Sequence, residues 1–403
     1  MIFFGDFAQA VGVWVFGLVY LVAPFFLFII AWHLWVKYVQ LCNIKKQEWV
    51  LLDIKIPKNL SRSPEAMEVV LSTFHQPGDG TFFKRYWHGA VQTWFSLEIA
   101  SLAGEVHFYI YTQKFFKNLI ESRIYSEYPM VEIYEVDDYA WSFPYGQSDS
   151  DWDLWGCHFK LEKPDPYPIK TYVDYNLGSR DGVKEEEKID PIAPILETMG
   201  SIGPGEQLWF QMIIRAAKKR FKKKNKWFEK ADWKEEGQNL LKSLLKRDLG
   251  KDASPSETNL SSGEKLVAEA VERNISKLGF DCGIRGMYLA KKDNFDQSNV
   301  VALISMLKQF NSLNLNGFKP ANTTSLKYSW QDWKNWRLNK IKWGMYDAYR
   351  RREYFNPPYQ YTPITLNTEE LATIYHFPGE VIQTPTLSRI ASKRGEPPVN
   401  LPI

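Results

Sequence analysis

The side chains with the greatest capacity to contact a partner lie in a basic run between residues 215 and 230. This stretch holds nine basic residues and one acidic residue, Glu229, with Phe221, Trp227 and Phe228 among them. It could bind anionic lipid, stack on and neutralise nucleic acid, or meet the acidic face of a neighbouring copy, and it is also typical of a plain solvated insertion. The candidate contact residues are Arg215, Lys218, Lys219, Arg220, Lys222, Lys223, Lys224 and Lys226.

An acidic triplet is the first candidate for a metal site. Asp149, Asp151 and Asp153 begin like a calcium-binding loop. The later positions do not fit, because Leu154 stands where the loop needs glycine and Lys160 stands where it needs a bidentate glutamate. We therefore predict a solvated loop with no metal ligand.

Other residues with chemical potential also have structural explanations. Cys157 and His158 fall in a predicted strand, where neighbouring side chains point to opposite faces and cannot form a local metal pair. Gly200, Gly203 and Gly205 lack the spacing and the lysine of a phosphate-binding loop and predict a helix-ending turn. No nucleophile lies in a recognised elbow or triad pattern. The sequence therefore predicts no catalytic residue, no cofactor and no metal.

The element that must position these groups is an apolar N-terminal segment. Residues 7–36 carry no formally charged side chain and are bracketed by Asp6 and Lys37. About 20 helical residues cross a hydrocarbon core about 30 Å thick, so the segment can span a bilayer once. It lacks the basic region and cleavage site of a secretory signal, which favours a retained anchor. The alternative, a buried helix of a soluble core, rarely runs this long without charge.

Flanking charge predicts the orientation of the span. Asp6 lies on the N-terminal side, which has no Lys or Arg, whereas several basic residues follow the segment and tend to stay cytoplasmic. We predict a single-pass protein of the cytoplasmic membrane, with its N-terminus outside and the bulk of the chain in the cytoplasm. Trp32, Trp35 and Tyr38 are predicted to lie at the membrane interface. Three isolated cysteines fit a reducing compartment.

Hydrophobic periodicity downstream predicts an α+β protein with tandem ferredoxin-like (βαββαβ-type) modules. Between residues 49 and 136 the order is strand, helix, strand, strand, helix, strand, with the middle strands forming a hairpin. A second pass resembles the first, with strands at 155–162 and 169–175. Ser63 predicts the start of one helix, and Ser261 with Glu264 forms a capping box that starts another.

The predicted organisation has five parts. They are a transmembrane anchor helix at 1–45, a first ferredoxin-like module at 46–145, a second α+β module at 146–315 with a basic helical insertion at about 216–262, an aromatic and basic helix at 316–356, and a proline-rich extended tail at 357–403 with a short helical turn at 369–375. The aromatic residues of the fourth part spread around the helix, which favours core packing over a membrane-surface position.

Four stretches resemble a known family. They are SPEAMEVVLSTFH, GEVHFYIYTQKFFKNLIESRIYSEYP, DPIAPILETMGSIGPGEQLWFQMIIRA and LNTEELATIYHFPGEVIQTPTLSRIASKRGEPPVNLP. They are similar to the membrane-anchored N-terminal region, a domain of unknown function, of type IV secretion or conjugation-type proteins of candidate-phyla bacteria. The resemblance covers nearly the whole chain and rests on structural motifs. It implies an FtsK/HerA-like ATPase as partner, and because no ATPase follows the proline-rich segment, that motor is expected in trans.

The resulting hypothesis is a membrane-anchored, non-enzymatic subunit of a conjugation or type IV secretion-like apparatus, which docks a DNA-translocating ATPase. An alternative is a membrane-tethered nucleic-acid-binding module that uses the basic run. A third is an enzyme at the membrane with an unrecognised site. Assembly into a homo-oligomer is left open.

Overall fold

The structure is a computed structural model of the 403-residue chain. It describes residues 2–57, 60, 62–78, 80–143, 145–146, 150–178, 190–219, 221–222, 230–247, 261–326, 332, 335–379 and 389–390. The chain divides into two compact units. One is Met1–Glu48 with Gly78–Thr93, and the other is Trp49–Pro77 with Trp94–Ile403.

The predicted mixture of helix and antiparallel sheet is confirmed. The described helices are α1 (Ile2–Lys46), α2 (Pro64–Ser72), α3 (Phe82–Tyr86), α4 (Lys117–Glu127), α5 (Ala193–Gly200), α6 (Trp233–Arg247), α7 (Ser262–Ser276), α8 (Gln297–Ser305), α9 (Trp336–Arg350) and α10 (Thr368–Ile374). The described strands are β1 (Trp49–Pro57), β2 (Phe95–Leu102), β3 (Glu105–Gln113), β4 (Glu132–Val136), β5 (Trp152–Leu161), β6 (Glu206–Ala216), β7 (Phe221–Lys222), β8 (Lys230–Ala231), β9 (Gly279–Lys291), β10 (Phe318–Ala321), β11 (Ile364–Asn367) and β12 (Arg389–Ile390).

The first unit contains α1 and the segment that carries α3. Helix α1 ends with Lys45 and Lys46 in its last turn, where cations interact favourably with the negative end of the helix dipole. Thr81 begins α3, because its side-chain oxygen accepts the backbone N–H of Lys84 at 3.4 Å. The Asn43 side chain donates to the carbonyl of His88 at 3.1 Å and so connects the two parts of the unit.

The second unit is built on one large sheet. Ten described strands form it in the order β10-β5-β9-β6-β2-β3-β1-β12, with β11 also paired to β9 and β4 to β1. Strands β2 and β6 pair antiparallel from Phe95 opposite Ile214 to Leu102 opposite Gln207. This pairing joins strands of both predicted modules into one sheet, and the tandem ferredoxin-like arrangement is not confirmed. Both strands are almost entirely buried, so their backbone groups need sheet partners on both sides.

Side chains of β9 alternate between two cores, one on each face of the sheet. Every residue of β9 except the last is buried. Ile284 and Tyr288 belong to the larger core, which α2, α4, α5, α8 and α10 cover. Met287 and Leu289 belong to the smaller core, which α9 covers. Strand β9 is therefore covered on both faces.

The structure corrects two predictions for residues 146–356. The predicted strand at 169–175 is a turn, in which the Thr171 N–H donates to Asp174 Oδ2 at 2.8 Å and Asn176 has a positive φ. Strand β5 pairs instead with β9 and β10. Within the predicted aromatic and basic helix at 316–356, Trp336–Arg350 is helical as α9, whereas Phe318–Ala321 is the strand β10. Residues 345–349 of α9 are buried, so its last turns pack in the core, as predicted.

The predicted extended tail is also corrected in its first part. Within residues 357–403, the helical turn predicted at 369–375 is confirmed as α10, but β11 and α10 are buried throughout. Strand β11 pairs antiparallel with β9, and α10 starts with a capping box between Asn367 and Glu370. The prolines therefore flank a core segment, and apolar Leu366, Leu371 and Ile374 explain its burial. Residues 380–388 and 391–403 lie outside the described residues.

Candidate functional site at the membrane anchor

The second half of α1 presents large apolar side chains. Phe25, Phe26 and Leu27 are 64, 59 and 64% exposed. Within the described stretch Val22–Lys46, none of the apolar window is buried inside the protein. A helix of a soluble core would bury such side chains, whereas lipid accommodates them. The helix is long and apolar enough to cross a membrane.

The predicted interface residues follow this apolar stretch. Trp35 and Tyr38 are exposed, and their ring centroids lie 6.3 Å apart. Trp32 is half-buried, and Lys37 is exposed. Amphipathic rings beside a basic side chain are typical of the headgroup level of a membrane protein.

Trp32 and Trp35 also contact α3, a helix that the sequence did not predict. The Trp32 ring centroid lies 6.0 Å from that of Tyr86, and the Trp35 centroid lies 6.4 Å from that of Trp87. The available signal was Thr81 as a capping residue before the aromatic and basic sequence FFKRYW. Five residues are too few to establish a helical hydrophobic period, so the sequence predicted a loop for this segment.

Of the predicted basic contact residues, Arg215 lies mostly inside the protein. Its Nε and Nη2 atoms donate to Asp281 Oδ2 at 3.2 and 3.0 Å, and its guanidinium lies 4.1 Å from the centre of the Phe355 ring. Because Asp281 is fully buried, this pair belongs to the packing of the sheet. Lys218 is half-buried and Lys219 is exposed. The side chains of Arg220, Lys222, Lys223, Lys224 and Lys226 lie outside the described residues.

The residues weighed as metal ligands are dispersed. Asp149 lies outside the described residues, and Asp153 pairs with Lys342 at 2.5 Å. Cys157 and His158 are both fully buried in β5, and burial together with the nearby charge of Arg285 lowers the pKa of His158 to about 3. Among the described residues, no group of three His, Cys, Asp or Glu side chains is placed to hold a metal ion.

A buried ion network, which the sequence did not reveal, centres on Glu98 in β2. Ser96 and Gln211 donate to Glu98 Oε1 at 2.7 and 2.8 Å, and Tyr139 donates to Oε2 at 2.8 Å. Arg352, just beyond α9, donates to both oxygens at 3.0 and 3.1 Å. The network therefore ties the end of α9 to the centre of the sheet.

Opposing effects set the protonation of this network. Burial raises the pKa of Glu98, but the charge and hydrogen bonds of Arg352, together with the hydrogen bonds from Ser96 and Tyr139, hold that pKa below its usual value. The Arg352 guanidinium also pairs with Asp138, and the two carboxylates raise its pKa well above the usual value despite burial. Glu98 is therefore ionised and paired inside the protein.

A second buried polar cluster surrounds α10. Glu369 pairs with Lys277 at 2.8 Å and accepts a hydrogen bond from the Thr171 hydroxyl at 2.6 Å. Glu370 accepts the backbone N–H of Ile169 at 3.0 Å, and complete burial raises its pKa to about 8. Like Glu98, these carboxylates hold elements of the fold together.

The buried carboxylates and the exposed apolar surface of this protein differ in whether they have partners. The carboxylates of the two buried networks have partners inside the protein. The surface whose composition calls for a partner is the apolar and aromatic face of α1 with α3 beside it. This face is the candidate functional site.

Comparison with known proteins places most of the chain in one family model. The model, described as a domain of unknown function (DUF8128), matches residues 38–389. The match starts within the last turns of α1 and includes the sheet except for Ile390, the last residue of β12. No curated protein matches the chain.

Proposed function

The chain belongs to the family of this domain of unknown function (DUF8128), and we propose that it is a membrane-anchored, non-enzymatic subunit of a conjugation or type IV secretion-like apparatus, which docks a DNA-translocating ATPase. The observation that carries the proposal is the exposed apolar face of α1, which ends at Trp35, Lys37 and Tyr38. This sequence of apolar, aromatic and basic side chains matches the sequence of layers from hydrocarbon to cytoplasmic headgroup.

In this proposal the N-terminus lies outside the cytoplasmic membrane and the bulk of the chain lies in the cytoplasm. Charge asymmetry supports this orientation, because Lys37, Lys45 and Lys46 follow the apolar stretch whereas Asp6 precedes it. The large sheet would then stand at the cytoplasmic face, where a motor has access to nucleotide and to DNA.

The partner in this proposal is an FtsK/HerA-like ATPase supplied in trans. The resemblance of residues 190–216 and 366–402 to conjugation-type proteins supports this partner. Self-association into a homo-oligomer is compatible with this proposal.

Capture from native membranes tests the proposal. The full chain with an affinity tag is cross-linked in its own cells, extracted in mild detergent and analysed by mass spectrometry. We expect an ATPase with Walker motifs among the captured proteins, and its absence from a single-span control protein with the same tag. Repeated capture of the membrane-inserted chain without any such ATPase would contradict the proposal.

The same experiment separates the alternative, a membrane-tethered nucleic-acid-binding module. A triple variant, Lys222→Glu, Lys223→Glu and Lys224→Glu, should keep the ATPase if docking is the function. Captured DNA that falls away with rising salt, and that the triple variant loses while no ATPase is present, would favour the alternative.

A further inference from the structure

Helix α3 presents aromatic side chains to its surroundings although it is only five residues long. Phe82 is 73% exposed and Phe83 is 58% exposed, and Trp87 at its C-terminal end is 54% exposed. No residue of α3 is buried. Apolar area of this size on so short a segment is unfavourable in water, at roughly 25 cal/mol per Å². The segment therefore has the composition of a surface that a partner covers.

Helix α3 is continuous with the aromatic end of α1. Trp32 lies between Tyr86 and Trp87, at ring-centroid distances of 6.0 and 6.3 Å, and Trp35 lies 6.4 Å from Trp87. If α1 spans a bilayer, α3 is held at the level of Trp32 and Trp35.

The attachment of this segment to α1 is a close backbone contact. Gly89 has φ +67°, and a Cβ atom on it would lie 2.1 Å from the carbonyl oxygen of Val39. Only glycine allows this approach, both by conformation and by space. The hydrogen bond from Asn43 to the His88 carbonyl lies one residue away. The position of α3 beside α1 is therefore fixed by main-chain geometry.

Basic side chains accompany the exposed rings. Lys84 in α3 is exposed, as is Lys37 in α1. With a rise of 1.5 Å per residue, Lys37 stands about 7.5 Å beyond Trp32 along α1. The headgroup region of one leaflet is roughly 5–8 Å thick. Rings beside Trp32, with Lys37 within about one headgroup thickness of it, match the boundary between acyl chains and phosphates.

We propose that α3 is seated in the cytoplasmic headgroup layer, as a second membrane contact beside the span. The rings of Phe82, Phe83 and Trp87 contact the upper acyl chains, and Lys84 lies among the lipid phosphates. The partner is a phospholipid surface. This inference rests on the proposed membrane anchoring of α1 and adds a contact that fixes how the chain leaves the membrane.

Site-directed spin labels measure the depth of α3 directly. The full chain, with Cys42→Ser, is labelled in turn at Phe83→Cys, Leu27→Cys and Leu313→Cys and placed in vesicles of phosphatidylethanolamine and phosphatidylglycerol. Cys157 and Cys282 are fully buried and so do not take the label. Leu27 is the marker within the span, and Leu313, 99% exposed in the other unit, is the marker for water.

We expect the label at residue 83 to collide often with oxygen and seldom with a water-soluble nickel chelate, giving a depth between those of the two markers. A label at residue 83 as accessible to nickel as that at 313, while residue 27 is in lipid, overturns the seating of α3 and leaves the anchor intact. Water-like values at both 27 and 83 would overturn the anchor as well, and with it the proposed function.

A pair of glycine variants tests the attachment. Gly89→Ala places a methyl group against the Val39 carbonyl, so we expect the residue-83 label to become more accessible to nickel. Gly78→Ala is the matched control, because nothing lies within 4 Å of its added Cβ. Thermal unfolding of each variant reports whether the fold is retained. An unchanged depth in a folded Gly89→Ala variant would contradict the attachment of α3 through this contact.

Discussion

Glu98 and Arg352 show how single residues can hold distant parts of this chain together. Both side chains have no exposure to solvent, and they are 254 positions apart in sequence. An unpaired charge in such a place would cost several kcal/mol, which is why each oxygen of Glu98 accepts two or more hydrogen bonds. Arg352 has φ +53°, an uncommon backbone conformation for arginine.

Removing the charge of Glu98 should destabilise the fold strongly. Glu98→Gln keeps the shape of the side chain but removes the negative charge that pairs with Arg352. Its amide NH₂ would also face a group that donates a hydrogen bond to Glu98. We expect a loss of about 3–5 kcal/mol in the free energy of unfolding, measured by denaturant titration of the full chain in detergent.

The matched control for this substitution lies on the neighbouring strand. Glu105 is 59% exposed at the start of β3, so Glu105→Gln should change the free energy of unfolding by no more than about 0.5 kcal/mol. Equal unfolding midpoints for the two variants would show that the buried pair contributes little.

At the scale of elements, β9 is the strand on which the second unit is assembled. It pairs with β5, β6 and β11. Side chains from other elements pack directly against three of its glycines. A Cβ atom on Gly279 would lie 2.3 Å from Trp233, one on Gly283 would lie 2.4 Å from Tyr354, and one on Gly286 would lie 2.6 Å from Leu303. Glycine therefore makes room in a strand that is covered on both faces.

Filling one of these spaces should disturb packing without changing polarity. Gly283→Ala pushes a methyl group into the Tyr354 ring, and we expect a loss of about 1–3 kcal/mol in the free energy of unfolding. Gly263→Ala, in the first turn of α7, meets nothing within 4 Å and should leave stability unchanged or slightly higher. The same denaturant titration measures both, and an unaffected Gly283→Ala variant would mean that the Tyr354 contact is easily displaced.

At the scale of the whole molecule, the buried carboxylates set how stability depends on pH. Burial raises the pKa of Glu98, but Arg352 with the hydrogen bonds of Ser96 and Tyr139 lowers it below 4.5. The contribution of Glu98 is therefore present above about pH 4.5 and is lost as pH falls through the lowered value. Burial raises the pKa of Glu353 to about 7 and that of Glu370 to about 8. Their contributions are present below pH 4.5 and are lost as pH rises through those values.

Stability is lost towards low pH through Glu98 and towards high pH through Glu353 and Glu370. We therefore predict a maximum of the unfolding temperature near pH 5. Glu353 up to about pH 7 and Glu370 up to about pH 8 each remove up to about 1.4 kcal/mol per pH unit, so the unfolding temperature should fall between pH 5 and 8. Glu370→Gln should reduce this fall of the unfolding temperature with pH, whereas the exposed control Glu105→Gln should leave the fall unchanged. Thermal unfolding of the full chain in one detergent across pH 4–9 is the measurement, and an unfolding temperature that rises from pH 5 to 8 would contradict the prediction.

Local signals in the sequence identified many elements correctly. The Ser63 cap of α2, the β2–β3 hairpin with Gly104 at its turn, and the capping box of α7 are all confirmed. Each depends on residues within a few positions of one another, so the sequence window contains the whole cause. Helix α3 was missed because its five residues carry no period.

Pairing across long distances could not be predicted in the same way. The β2–β6 ladder merges the two predicted modules, and the β11–β9 ladder takes part of the predicted tail into the core. The Glu98–Arg352 pair likewise depends on where α9 ends in space. Alternating apolar residues indicate that a strand has a buried face, but they do not indicate which strand lies beside it.

The sequence alone determined the apolar helix at the N-terminus, the helix starts and the alternation of most strands, because each follows from composition, capping and periodicity in a short window. Only the tertiary structure decided that one sheet contains the strands of both predicted modules, that residues 364–377 are core, and that the aromatic end of α1 has α3 beside it. Those outcomes depend on which buried surfaces and backbone groups satisfy one another, and that choice is made by the whole chain.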